Sequence, residues 1–132
     1  MTHLSQALEF RRKFAQPNLH PEVAVKPEDI SRLKMQLGLI KEEGDEFKEA
    51  IDSWIEAPNK AAKVHTLKEL ADLVYVCYQM AAFLNVDLDE ALDRVHASNM
   101  SKLDDNGNAI YNESGKVMKG PNYKEPDLDD LV

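Results

Sequence analysis

Apolar residues recur every three or four positions along most of the chain, a spacing that predicts helices joined by short polar connections. The first segment is short, carries Phe10 and Phe14 one turn apart, and should end before Pro17. Residues 16–27 hold three prolines and are expected to form an extended connection.

A long second helix is predicted from Pro27, which suits the first helical position, to just before Pro58. Its apolar stripe has regular helical spacing and comprises Ile30, Leu33, Leu37, Ile40, Phe47, Ile51 and Ile55. Gly44 falls within this stripe, so we expect another backbone to pass close to it.

The third helix, over about residues 60–84, is apolar on nearly every side. A helix of this kind is buried on every side, and one short chain has few helices to surround it, so a subunit interface is expected. Glu69 and Asp72 nevertheless share a face of this helix with His65 and Gln79. Acidic side chains on a buried helix need a compensating partner.

Asp87 has the cap spacing that begins a fourth helix, whose inner face changes from apolar residues to Asn99 and Lys102. That change fits a polar cavity and a helix end emerging into water equally well. Residues 110–111 and 117–118 are predicted to pair as a small hairpin, followed by an extended tail. The expected fold is therefore all-α, with four core helices and a short C-terminal hairpin and tail.

Composition narrows the class of protein. A chain of 132 residues with 43% hydrophobic content predicts one domain over residues 1–132. The net charge of -8 argues against nonspecific binding to nucleic acid or a membrane surface. The lone cysteine and the absence of a signal-peptide pattern favour the cytoplasm, and residues 70–86 are too short to span a bilayer.

Two groups of acidic residues carry the candidate chemistry. Glu42, Glu43 and Glu46 lie within one turn of the second helix, and Glu69 and Asp72 lie on the third. At ~5 Å and an effective dielectric constant of ~20, each like-charge contact costs about 3 kcal/mol, which a divalent cation would offset. Oxygen ligands favour Mg²⁺ or Mn²⁺ over zinc. Either group alone could be a solvated helix face, but the second lies on the most apolar helix.

These motifs resemble a known superfamily. The pattern EExxE at residues 42–46, followed after twenty-two residues by ExxD, is similar to that of the all-α nucleoside triphosphate pyrophosphohydrolases. This superfamily includes MazG-like enzymes, dimeric dUTPases and phosphoribosyl-ATP pyrophosphohydrolases. The strings HASNMSK (residues 96–102) and GKVMKGP (residues 115–121) resemble the small MazG-like proteins of bacteriophages and bacteria. The resemblance covers roughly residues 27–128.

The resemblance implies a helical core that forms homodimers or homotetramers, with about two or three Mg²⁺ or Mn²⁺ ions bound together with the substrate. The positions matching metal ligands are Glu43, Glu46, Glu69 and Asp72. Glu42 matches an additional acid that binds a further ion or helps activate water. The implied nucleotide-contacting residues are Asn99 and Lys102, often acting across the subunit boundary, with Lys119 and Tyr123 as weaker matches. His65 is a further candidate for substrate contact, although a structural histidine near a helix start is the commoner case.

The implied reaction converts a nucleoside triphosphate and water into a monophosphate and pyrophosphate. Glu42 or Glu46 would help deprotonate the water that attacks the α-phosphorus. A deoxynucleotide is favoured, with a purine slightly preferred and dUTP as an alternative. Two rival interpretations are a phosphoribosyl-ATP pyrophosphohydrolase and a non-catalytic helical interaction module. The downstream strings fit the first rival less well, and the second has no need for acids on an apolar helix.

Overall fold

A computed structural model of the chain describes residues 1–19 and 24–132, and all its regular secondary structure is helical. The helices are α1 (His3–Lys13), α2 (Pro27–Glu56), α3 (Lys60–Leu84) and α4 (Leu88–Met100), followed by a 3₁₀ turn at Asp129–Leu131. Within the described ranges there is no extended strand, and a single antiparallel bridge joins Tyr111 and Val117. The all-α prediction is confirmed. The expected connection at residues 16–27 lies partly outside the described residues.

Side-chain caps explain where three of the helices begin. The side chain of Thr2 accepts a hydrogen bond from the amide of Ser5 (3.1 Å). Asn59 and Asp87 provide the same cap at the starts of α3 and α4, at 2.8 and 3.0 Å. At the end of α3, Asn85 takes a left-handed conformation with φ of 59°. These local signals are readable from sequence, so the predicted bounds of α3 agree with the structure.

The chain divides into two compact units, Met1–Val86 and Asp87–Val132. In the first unit α3 packs against both α1 and α2. The buried apolar residues there are Ala7, Ala50, Tyr78, Ala81, Ala82 and Phe83. Phe10 and Phe14 stack with their ring centroids 4.4 Å apart, as the one-turn spacing predicted. The expectation of one domain over the whole chain stays a prediction.

Part of this core is polar, which the hydrophobic pattern did not indicate. The side chain of Arg11 is only 3% exposed and its Nε donates to Asn18 Oδ1 at 2.8 Å. The same guanidinium donates to Gln79 Oε1 of α3 and to the carbonyl of Pro17. The amide of Leu19 donates to the carbonyl of Phe83 (2.7 Å). Arg11 therefore holds residues 17–19 against the end of α3.

One expectation is wrong. A Cβ on Gly44 would meet no described atom within 4 Å, so within residues 1–19 and 24–132 no other backbone approaches that glycine. In the single chain the apolar residues Val64, Leu67, Leu70 and Val74 of α3 are exposed. The expected subunit interface, which would cover them, stays a prediction. Three residues of the α2 stripe, Ile30, Leu37 and Ile55, are exposed as well.

The second unit consists of α4, a minimal hairpin and a tail. The hairpin contains the bridge between Tyr111 and Val117, flanked by the backbone hydrogen bond from Met118 to Ile110 (2.7 Å). Gly115, with φ of 83°, supplies the left-handed residue in the connecting turn. The hairpin prediction is confirmed in this reduced form. No helix in the described parts of the chain is long and apolar enough to cross a membrane.

Candidate functional site

Three carboxylates from two helices meet in the first unit. Glu43 is on α2, Glu69 and Asp72 are on α3, and one oxygen from each lies within 4.8 Å of the others. The i,i+3 spacing places Glu69 and Asp72 on one face of α3, and the packing of α3 on α2 brings Glu43 to them. The structure thus joins acids that are 26 residues apart in the sequence.

The environment of this cluster suits a hard cation. Glu69 is only 5% exposed, and Glu43 is half-buried. Glu43 Oε2 and Glu69 Oε2 are both shielded from solvent, and neither has a hydrogen-bond partner among the described residues. Neighbouring oxygens around Mg²⁺ lie about 3 Å apart and opposite ones about 4.2 Å, so these three oxygens would share one ion after a small movement of their side chains. The donor set therefore fits Mg²⁺ or Mn²⁺.

The other two candidate acids of α2, Glu42 and Glu46, are not part of this group of three. Glu46 is exposed, and its pKa is raised above the ordinary value. The largest cause is a side-chain hydrogen bond with Glu43, followed by the negative charge of Glu43. The carboxyl of Glu46 therefore keeps its proton to a higher pH than an ordinary glutamate does. Glu42 is exposed and lies outside the group formed by Glu43, Glu69 and Asp72.

A basic residue that the sequence reasoning missed lies against the cluster. Lys68 Nζ is 2.7 Å from Asp72 Oδ2 and 3.3 Å from Glu69 Oε1. The hydrogen bond to Asp72, and then that to Glu69, raises the pKa of Lys68. The i,i+4 spacing of Lys68 and Asp72 was the available signal. His65 Nε2 is 3.7 Å from Glu69 Oε1, and the histidine side chain is 60% exposed.

The remaining candidate residues belong to the second unit. Asn99 is exposed on the last turn of α4, and Lys102 is half-buried just after the helix ends. The ammonium of Lys119 lies over the ring of Tyr123, 4.7 Å from its centroid. The structure therefore pairs Lys119 with Tyr123 and places Lys102 and Asn99 at one helix end.

Comparison with known proteins identifies the class. The family model of phosphoribosyl-ATP pyrophosphohydrolase matches residues 7–99, which include the acids of α2 and α3. The chain belongs to this family, part of the all-α MazG-like nucleotide pyrophosphohydrolase superfamily. The family is one of nucleotide pyrophosphohydrolases and is typically metal-dependent.

A second comparison concerns one viral protein. The chain is 32% identical to an uncharacterized protein of Acanthamoeba polyphaga mimivirus, over 42% of this chain and 35% of the viral protein. The chain thus matches about a third of that relative's length.

Proposed function

We propose that the protein hydrolyses a deoxynucleoside triphosphate to the monophosphate and pyrophosphate, using Mg²⁺ or Mn²⁺. The observation that carries this proposal is the pair of buried, unpartnered oxygens on Glu43 and Glu69 beside Asp72. Two buried acceptors without donors are costly unless a cation is present. A purine deoxynucleotide is the preferred substrate, with dUTP as the alternative.

The proposed metal ligands are Glu43, Glu69 and Asp72, with Glu46 completing the set once it gives up its proton. Bound ions would neutralise the triphosphate and make water easier to deprotonate. This neutralisation is needed because the chain itself carries a net charge of -8. Glu42, exposed next to the ligands, is proposed as a further ligand or as the base.

The chain's own groups perform the proton transfer in this proposal. A carboxylate oxygen of Glu42 or Glu46 accepts the proton from the attacking water, the oxygen of that water bonds to the α-phosphorus, and the bond to pyrophosphate breaks. The raised pKa of Glu46 makes it a stronger base than an ordinary glutamate. Nucleotide contacts are assigned to Asn99, Lys102, Lys119 and Tyr123, and His65 is a further candidate beside Glu69.

We also propose that two copies associate through the open face of α3. Leu67 is 66% exposed, and with Leu70, Val74 and Tyr75 it lines a cavity of about 360 Å³ between α1 and α3. The Tyr75 ring also contacts Phe10 of α1, with the centroids 5.8 Å apart, whereas Leu67, Leu70 and Val74 are exposed. A matching apolar face of a second chain would remove them from water. Pairing of such dimers would give the tetramer.

A pyrophosphate-release assay tests the activity. Purified protein is incubated with each of the dNTPs, the NTPs and dUTP, with Mg²⁺, Mn²⁺ or EDTA. We expect metal-dependent release that is fastest with a deoxynucleotide. No release from any of them would contradict the proposed activity. If phosphoribosyl-ATP gave no release either, the non-catalytic helical module would be favoured.

Phosphoribosyl-ATP is the second candidate substrate, because the matching family model bears its name. That match ends at residue 99, however, before Lys102, Lys119 and Tyr123. Adding phosphoribosyl-ATP to the assay separates the two candidates. A kcat/KM for it above that of every dNTP would assign the chain to that reaction instead.

A further inference from the structure

Gly120 is the point at which the C-terminal tail touches the end of α4. A Cβ at this position would lie 2.4 Å from the carbonyl oxygen of Lys102 and 3.0 Å from that of Leu103. Both neighbours are backbone atoms, so neither can move aside cheaply. Gly38 of α2, by comparison, has nothing within 4 Å of the corresponding Cβ position. Only glycine fits where the tail crosses Lys102.

Polar contacts hold the tail beyond this crossing. The hydroxyl of Ser98, on the buried side of α4, donates to the carbonyl of Lys124 at 2.7 Å. The amide of Lys124 donates to Ser101 Oγ at 3.0 Å. Further along, Arg94 donates to the carbonyl of Asp127 at 3.0 Å and makes a two-point ion pair with Asp130. The tail is thus attached to α4 at three successive points.

The docked segment carries two of the proposed nucleotide-contacting residues. The amide of Tyr123 donates to the carbonyl of Gly120 (3.3 Å), which closes a turn. That turn brings the Tyr123 ring under the ammonium of Lys119. The crossing at Gly120 therefore fixes Lys119 and Tyr123 beside the backbone of Lys102, a third such residue.

We propose that the docked tail positions the cationic group of Lys119 for the phosphates of the substrate, and that Gly120 and Ser101 are positioning residues. This inference rests on the proposed function, since it takes a nucleoside triphosphate as the ligand. The tail lies beyond the part of the chain that the family model matches.

The test compares Gly120→Ala with the matched control Gly38→Ala. We expect Gly120→Ala to release the tail, so that the Lys124 amide exchanges faster with solvent. The KM for the best dNTP should rise about tenfold or more, as expected when a charge-assisted contact is lost, while kcat changes less than about twofold. Metal binding measured without nucleotide should be unchanged. Gly38→Ala should alter none of these quantities.

Two further variants keep the test decisive if Gly120→Ala folds poorly. Ser101→Ala removes the acceptor of the Lys124 amide, and Lys119→Met removes the ammonium but leaves the docking contacts. Both should raise KM rather than lower kcat, and only Ser101→Ala should speed exchange at Lys124. If Ser101→Ala exchanged faster but kept the wild-type KM, the positioning role would be overturned. An unchanged KM in Lys119→Met would overturn it as well, and neither result would contradict the proposed function. Wild-type protein without turnover on any dNTP would overturn the proposed function as well.

Discussion

The two units of the chain differ in how their charged side chains are held. In the first, acids from two long helices are brought together where Glu69 is buried, and their charges are left partly uncompensated. In the second, a tail is attached to α4 by backbone and hydroxyl contacts, and its cationic side chain Lys119 is exposed. A site for a small hard cation needs fixed, desolvated oxygens, which helix packing supplies. A site for flexible phosphates can be carried by a short anchored turn.

The largest expected effect comes from removing one acid of the first unit. Asp72→Asn keeps the side-chain shape but removes a charge that the proposed ions need. Mutation of a residue that only supports a metal ligand typically lowers activity about 10–100-fold. Because Asp72 is itself a proposed ligand, we expect a larger fall in kcat/KM. The control is Asp52→Asn, because Asp52 is an exposed acid paired with Lys48 on α2.

Circular dichroism and mass measurement complete this test, since both Asp72→Asn and Glu46→Gln should stay helical and assembled. Wild-type turnover in either variant would move the proposed site elsewhere. If Asp52→Asn lowered turnover as well, removing an acid outside the proposed site would also be harmful. That result would weaken the metal interpretation.

The next effect concerns self-association. Leu67→Asp places a charge in the middle of the open face of α3, where burial against a second chain would be strongly unfavourable. We expect size-exclusion chromatography with light scattering to show the mass falling to that of one chain, 14.9 kDa. Val132→Asp, the same kind of change at the exposed chain end, should leave the mass unchanged. A wild-type mass of 14.9 kDa would contradict the proposed association.

The raised pKa of Glu46 predicts a pH dependence. Because the pKa of Glu46 is raised in the folded state, that state binds the proton more tightly than the unfolded chain does. Its contribution to stability is therefore present below the ordinary glutamate pKa and is lost as pH rises through the raised pKa. Metal binding must expel this proton, so affinity should rise about tenfold per pH unit below the raised pKa.

Calorimetry in buffers of different ionisation enthalpy measures this effect, because it counts the protons released for each ion bound. Glu46→Gln should lose one released proton and the steep part of the pH dependence. An unchanged proton count in that variant would place the exchangeable proton on another group.

A smaller effect is expected from Lys68, which supplies positive charge to Asp72 and Glu69. Lys68→Met removes an internal competitor, so metal affinity should increase, by less than about fivefold because the ion pair is exposed. The Tm of the metal-free protein should fall slightly. Lys48→Met, which breaks the similar pair with Asp52, should leave metal affinity unchanged. Weaker metal binding in Lys68→Met would mean that the lysine helps to hold the site.

The smallest expected effect is on amide exchange at the far end of the tail. Arg94 holds the pKa of Asp130 below its ordinary value. The stability that this ion pair contributes is therefore fully present above the ordinary aspartate pKa, and it is lost as pH falls through the lowered pKa of Asp130. Asp130→Asn should speed amide exchange at Leu131 and leave the metal affinity of the first unit unchanged. Asp129→Asn serves as the neighbouring control. Equal exchange in the two variants would show that the Arg94 ion pair does not hold the tail.

Much of the first unit could be predicted from sequence because its signals are local. Helix α3 was predicted with the observed bounds, since Asn59 and Asn85 cap it within one turn of its ends. Glu69 and Asp72 were paired by their spacing alone. The expected subunit interface on α3 stays a prediction: Leu67 and Val74 are exposed in the single chain, and the pattern of one helix does not show what covers them.

Contacts between distant backbone segments could not be read from the sequence. Gly44 was expected to meet another backbone and does not, whereas Gly120 does. The two glycines differ in what lies opposite them, and that depends on how the chain turns after α4. The buried Arg11 was missed for the same reason, since its partners Asn18 and Gln79 come together only on folding.

The sequence by itself determined the helical class, the helix ends and the two acidic pairs, because capping and side-chain periodicity act over one or two turns. The tertiary structure decided which acids meet. Glu43 rather than Glu42 joins Glu69 and Asp72, since the packing of α3 on α2 selects the side of α2 that faces them. It also decided that Gly120 has to be glycine, because the space around a residue is set by chain segments that approach it from elsewhere.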